Sequence, residues 1–213
     1  MDLYFSPLAC SMATRIALYE AGADAAYLEV DPKTKQVQQD NSDFHAVNPL
    51  GLVPTLRTDD GIVLTENAAI LQYVAERFPA AGLAATSNLE RSRLQQWLCF
   101  IGTELHKGLF VTLLDPTASK DVKDYVLKKN LSRLDYLNAY LDGREFVLDH
   151  FSVADAYLAT VLNWSQATPM IDFNQWPAVK DYLRSMRKHP SVAKAMAEEV
   201  VLYQAEQAGH KAA

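Results

Sequence analysis

The chain has 213 residues, 49% of them hydrophobic, with a formal net charge of -6 and a pI near 5.3, enough apolar material for one large or two small domains. No cluster of lysine and arginine supplies a field that attracts phosphate backbones, so nucleic acid is not an expected partner. The longest apolar runs, at residues 97–101 and 158–162, fall far short of the roughly 20 residues a membrane span needs, so no membrane is expected.

The first strand is expected over residues 1–6, where Leu3 and Phe5 share one face and Pro7 stops the alternation. Residues 11–21 carry Ala13, Ile16, Ala17 and Glu20 at helical spacing, and Gly22 follows where a helix end takes a left-handed residue. Residues 25–30 read as a second strand, giving β-α-β. Residues 31–50 are polar and irregular, a long connection over the surface that bears Lys33 and Lys35. Two short apolar runs, Val53-Pro54-Thr55-Leu56-Arg57 and Ile62-Val63-Leu64, flank the turn chemistry of Asp59-Asp60-Gly61. Glu66-Asn67 then introduces a helix over residues 68–78, closed by Pro79. This is a thioredoxin-like order; with a helix counted in the connection, the fold class is α/β, β-α-β-α-β-β-α, over residues 1–80. The small residues 81–88 read as a linker. Residues 89–213 read as an all-α domain, with helical spacing near 89–114, 120–141, 153–167, 177–187 and 191–206.

Only two cysteines occur, Cys10 and Cys99, too few for a disulfide framework and suited to a reducing, cytoplasmic compartment. The opening Met1-Asp2-Leu3-Tyr4-Phe5 carries an acid where a secretory leader is basic, and reads as mature sequence. Cys10 falls at the turn from strand to helix, where unpaired N–H groups and the helix dipole favour a thiolate below the free value of about 8.5. Ala13 stands three residues on, so any second thiol comes from a substrate. The plain alternative is a small buried cysteine.

Val53-Pro54 is a structural turn or, with a cis bond, a backbone edge open to an extended peptide. Glu66-Asn67 is a helix cap by Asn67, or a pair that holds the carboxylate and the ammonium of an α-amino acid. His106 is a general acid or base, a contact to a thiolate, or a structural histidine. The histidines at 45, 150, 189 and 210 and Cys99 lack ligand spacing, so no metal is expected. Ser152 and Asp155 fit a capping box, and Trp97, Phe100, Phe110, Tyr157 and Trp164 fit a core.

Taken together, Asn48-Pro49-Leu50-Gly51-Leu52-Val53-Pro54-Thr55-Leu56, Glu66-Asn67-Ala68-Ala69-Ile70 and Phe151-Ser152-Val153-Ala154-Asp155 resemble the three most recognisable motifs of the glutathione transferase superfamily, in order and spacing. Cys10 after Leu3-Tyr4-Phe5-Ser6-Pro7, with His106, looks most like the bacterial beta class. The resemblance implies a glutathione site with Cys10 near the thiol, Lys35 near the glycyl carboxylate, Val53 on the cysteinyl backbone beside a cis Pro54, and Glu66-Asn67 at the γ-glutamyl end. It also implies a homodimer in which Thr103 and Glu104 serve the partner's site, and a small apolar electrophile held between the domains, with His106, Phe110 and Trp164 on its wall. Cys10, Ser11 and His106 are the expected catalytic groups, and glutathione is a cosubstrate with no permanently bound cofactor. Two departures stand out: Asn67 where a serine is more usual, and Cys99 where an asparagine is common. Conjugation by the glutathione thiolate is the leading expectation. The alternatives are a disulfide or peroxide reductase working through a Cys10 mixed disulfide, and a binding protein without catalysis.

Overall fold

The computed structural model describes residues 1–212, with side chains through Gly209; the ring of His210 therefore lies outside the described residues. Two compact units emerge, and the first, Met1–Ala84, includes the end of the chain from Pro190. Its elements are β1 (Asp2–Phe5), α1 (Met12–Glu20), β2 (Ala26–Glu29), β3 (Thr55–Arg57), β4 (Val63–Leu64) and α2 (Asn67–Arg77). The sheet order is β2-β1-β3-β4, with β1 parallel to β2 and antiparallel to β3. Gly22 and Gly61 take the positive φ their turns require, 60° and 78°, and Leu56 pairs with Leu64 across the hairpin.

Two expectations change here. The helix counted in the connection is reduced to a single 3-10 turn, Phe44–Ala46. The connection is also more than a surface crossing, because Val37 and Phe44 are buried with Tyr4 and Val30, and Val53 packs on that cluster. Thus β1 buries Leu3, Tyr4 and Phe5 in succession instead of exposing one face, as a strand covered on both sides does.

The second unit, Ala85–His189, contains α3 (Asn88–Leu114), α4 (Lys120–Leu141), α5 (Val153–Asn163) and α6 (Pro177–Met186). The middle of α3, Ile101–Phe110, is wound as a π-helix, and the Val111 amide donates to the His106 carbonyl five residues back. The capping box at α5 is present, with Asp155 accepting from the Ser152 amide at 2.9 Å. Asp155 also accepts from the Val147 amide at 2.7 Å and the Tyr182 hydroxyl at 2.9 Å. Burial raises the pKa of this carboxyl, and these donors oppose the rise.

The last helix, α7 (Pro190–Ala212), corrects the expected 89–213 domain: it belongs to the first unit, packed on α1. Val192, Ala195 and Glu199, spaced to share one helical face, are all buried. The Glu199 carboxylate accepts from the Leu8 amide at 2.7 Å, and Arg15 Nη1 lies 3.6 Å from its other oxygen. Arg15 also donates to Tyr19 at 2.9 Å and Glu198 at 3.0 Å, with its guanidinium over the rings of Phe5 and Tyr27. The turn before Cys10 is thus tied to the far end of the chain.

Candidate functional site

Within the first unit, the loop between β1 and α1 is shaped by its own polar groups. The Ser11 hydroxyl accepts from the Ser6 amide and donates to the Ser6 carbonyl, at 3.3 and 3.2 Å. Its side chain is completely buried, so the hydroxyl expected in the catalytic set is spent on closing the turn. The Ser11 backbone N–H makes no hydrogen bond among the described residues. Leu8, inside the same turn, has φ 59°, a left-handed conformation that a branched side chain adopts only under constraint.

Cys10 is partly exposed, and its Sγ donates to the Val53 carbonyl at 3.2 Å. The carbonyl is a hydrogen-bond acceptor set against the thiol, beside the helix start. Val53 is presented by a loop that Asn48 builds: its amide donates to Leu52 and Thr55 oxygens at 2.8 and 3.1 Å, and its carbonyl accepts from the Leu50 amide. Gly51 is required there, since φ is +61° and a Cβ would lie 2.8 Å from His45 Nε2. The Val53–Pro54 peptide is cis.

Asn67 is not the cap expected from the sequence. It is the first residue of α2, while Glu66 holds the N-cap with φ 66° and no side-chain bond to the helix. The buried Asn67 amide instead donates to the Cys10 carbonyl at 3.0 Å and accepts from the Thr14 hydroxyl at 3.0 Å, so it joins α2 to the start of α1. Glu66 is left exposed, with no hydrogen bond to its carboxylate among the described residues. Lys35, half-buried, also has a positive φ, 59°. The amides of Lys33 and Thr34 cap Asp31 at 2.7 and 2.9 Å and set the turn that carries it. The structure therefore brings Cys10, Val53, Pro54 and Asn67 into one constellation. Among the described residues, three of the four non-glycine residues with positive φ, Leu8, Lys35 and Glu66, belong to the site expected from the sequence or adjoin it, and backbone strain of this kind concentrates at functional sites.

In the second unit, His106 is buried, with Nδ1 2.7 Å from the Tyr157 hydroxyl and its ring edge-on to Trp164. Burial, with Lys107 adding to it, lowers its pKa to about 4. At neutral pH this is an uncharged imidazole. Phe110 is completely buried and edge-on to Trp164, so it backs the Trp164 ring instead of forming an open wall. Thr103 donates to the Cys99 carbonyl at 2.9 Å, and Glu104 accepts from Arg133 at 2.9 Å, while Cys99 is exposed. No group of three potential metal ligands occurs among the described residues. Thr14 and Glu199 were not singled out in the sequence, and Tyr157 was read only as a core aromatic, whereas its hydroxyl meets His106.

The family model described as glutathione S-transferase, N-terminal domain, matches residues 9–77, and that described as the C-terminal domain matches residues 97–190. The chain is 37% identical over 201 residues to glutathione S-transferase GstA of Escherichia coli O157:H7, covering 93% of this chain and 98% of that protein. A sphingomonad glutathione S-transferase solved in complex with glutathione is 41% identical with a TM-score of 0.88, covering 93% of this chain and 98% of that one. A bacterial beta class glutathione S-transferase from Sphingomonas chungbukensis is 40% identical with a TM-score of 0.87, over the same shares. With both halves matched by family models and relatives aligned along nearly their whole length, the chain belongs to the glutathione S-transferase family, alongside the bacterial beta class.

Proposed function

We propose that this transferase joins the thiolate of glutathione to small apolar electrophiles, with the tripeptide sulfur at the start of α1. The observation that carries this is the gathering of Cys10, Val53 and Asn67 by hydrogen bonds of 3.0 to 3.2 Å, next to a helix start that still offers the Ser11 amide. In this reading the Val53 backbone pairs with the cysteinyl residue and Glu66 receives the γ-glutamyl ammonium. Lys35 meets the glycyl carboxylate as a point charge. Cys10 acts as a thiol beside the reacting sulfur, and the nucleophile is glutathione itself.

His106 enters as a neutral hydrogen-bonding group, since an imidazole with a pKa of about 4 brings no charge at pH 7. Thr103 and Glu104 contribute through a homodimer, and a reducing cytoplasm suits two cysteines that form no disulfide.

Calorimetry with reduced glutathione and a conjugation assay with an activated aromatic halide test the proposal. Binding with turnover is expected; binding without turnover of any electrophile removes the conjugation step, and no binding at millimolar glutathione removes the site. A Cys10→Ala variant separates the reductase reading: conjugation that survives the change keeps Cys10 as a neighbour, and its loss together with a glutathione adduct in intact mass makes Cys10 the nucleophile.

A further inference from the structure

The π-wound stretch of α3 carries Thr103, Glu104 and His106, and a contact from α4 meets it near its end. Gly108 lies under the Thr103 carbonyl, five residues back, so closely that an added Cβ would sit 2.8 Å from that oxygen. The Gly108 carbonyl in turn accepts from the Asn130 amide of α4 at 3.0 Å, and the same amide group donates to the Val126 carbonyl at 2.8 Å. Asn130 is 5% exposed, and the long polar face of α4 explains no buried amide at this point. A helix that passes from i–5 back to i–4 pairing leaves a carbonyl without its helical partner, and a buried carbonyl needs a donor from elsewhere.

We propose that Asn130, working against Gly108, is a positioning residue that holds α3 in its π register and so fixes where His106 points. The functional weight of this rests on the reading of His106 given above; the clasp itself does not. The mechanical argument is short. Buried positions in the stretch fall at Ile101, Leu105, His106, Leu109 and Phe110. Rewinding to i–4 pairing would turn the later ones around the axis, and His106 would lose the Tyr157 hydroxyl and the edge of Trp164. Among the described residues, no other side-chain hydrogen bond reaches the backbone of the stretch from a neighbouring helix. The groups facing His106 are Tyr157 and Trp164 of the second unit, with Lys107 beside it in sequence.

The test uses Asn130→Leu, which removes the amide, Asn130→Asp, which keeps its shape without the N–H donors, and Gly108→Ala, which crowds the Thr103 carbonyl. The His106 imidazole is followed by NMR titration in each, with His106→Ala to assign the resonance, and fold is followed by circular dichroism. In folded variants the titration midpoint is expected to rise from about 4 toward the free value of about 6.5. The turnover number should fall about tenfold or more while the glutathione KM stays within about twofold. An unmoved midpoint in folded variants overturns the proposal. Loss of fold in all three overturns it as well, because Asn130 would then be a stability element only. A shifted midpoint with unchanged turnover upholds the clasp and refutes a catalytic part for His106.

Discussion

Glu199 is a carboxylic acid with no exposed surface, and burial raises its pKa from 4.5 to about 8 while the Leu8 amide and Arg15 pull it back. Replacing it by glutamine keeps an acceptor for the Leu8 N–H and removes the titration. Because folding raises this pKa, the folded chain holds the proton more tightly than the unfolded chain. The resulting stabilisation is complete below about pH 4.5, falls by about 1.4 kcal/mol for each pH unit above it, and is gone above about pH 8. Between pH 5 and pH 8 the native chain should therefore lose roughly 4 kcal/mol relative to Glu199→Gln. Other titrating groups, distant and shared by both proteins, cancel in the difference. Urea unfolding at pH 5, 6, 7 and 8 on both proteins gives the two stability curves. Curves that diverge as pH rises, with the native chain falling below the variant, are expected, and parallel curves would show that Glu199 is ionised throughout and that the Arg15 contact outweighs its burial.

Asn67→Ala removes the donor to the Cys10 carbonyl and leaves the buried Thr14 hydroxyl without its acceptor; a loss of about 1–3 kcal/mol and weaker glutathione binding are expected, and an unchanged thermal midpoint would contradict the coupling of α2 to α1. Tyr157→Phe keeps the ring and strips the partner from His106 Nδ1, so turnover should fall while the calorimetric glutathione affinity holds; equal loss of both would argue for general disruption. His106 has its pKa lowered by burial, so it contributes stability above about pH 6.5 that is lost as pH falls through about 4. A His106→Gln variant should resist acid better than the native chain by up to about 3 kcal/mol, and identical acid unfolding curves would refute the assignment.

What could be read in the sequence is what short stretches decide. Gly22 and Gly61 mark turns because only their backbone takes those φ values cheaply, and the Ser152 and Asp155 pair declares itself within four residues. Cys10, Val53 and Pro54 were legible because strand ends and a proline place them at a turn. The unread part depends on distant partners. Periodicity shows that one face of α7 is apolar, but not that it covers α1, so the last helix was assigned to the wrong unit. The bonds from Leu8 to Glu199, from His106 to Tyr157 and from Gly108 to Asn130 join segments that no local pattern relates. Asn67 was misread because a good cap residue stood at the right place, while Glu66 took the cap at a strained φ of 66° and left Asn67 free to reach Cys10.

The conjugating and reducing readings separate on one proton. Stabilising a thiolate by two pKa units requires about 2.7 kcal/mol, and a helix N-terminus contributes up to about 1 kcal/mol at an exposed position. Two sulfur anions side by side at that end would also repel. The Val53 carbonyl accepts a hydrogen bond from the Cys10 thiol at 3.2 Å, a contact that favours the protonated form of that sulfur. A mixed disulfide needs Cys10 to give that proton up before it attacks. On the conjugating reading proposed above, alkylation of Cys10 by iodoacetamide should proceed no faster at pH 7 than alkylation of an ordinary exposed thiol. Rapid labelling at that pH would shift the balance to the reductase.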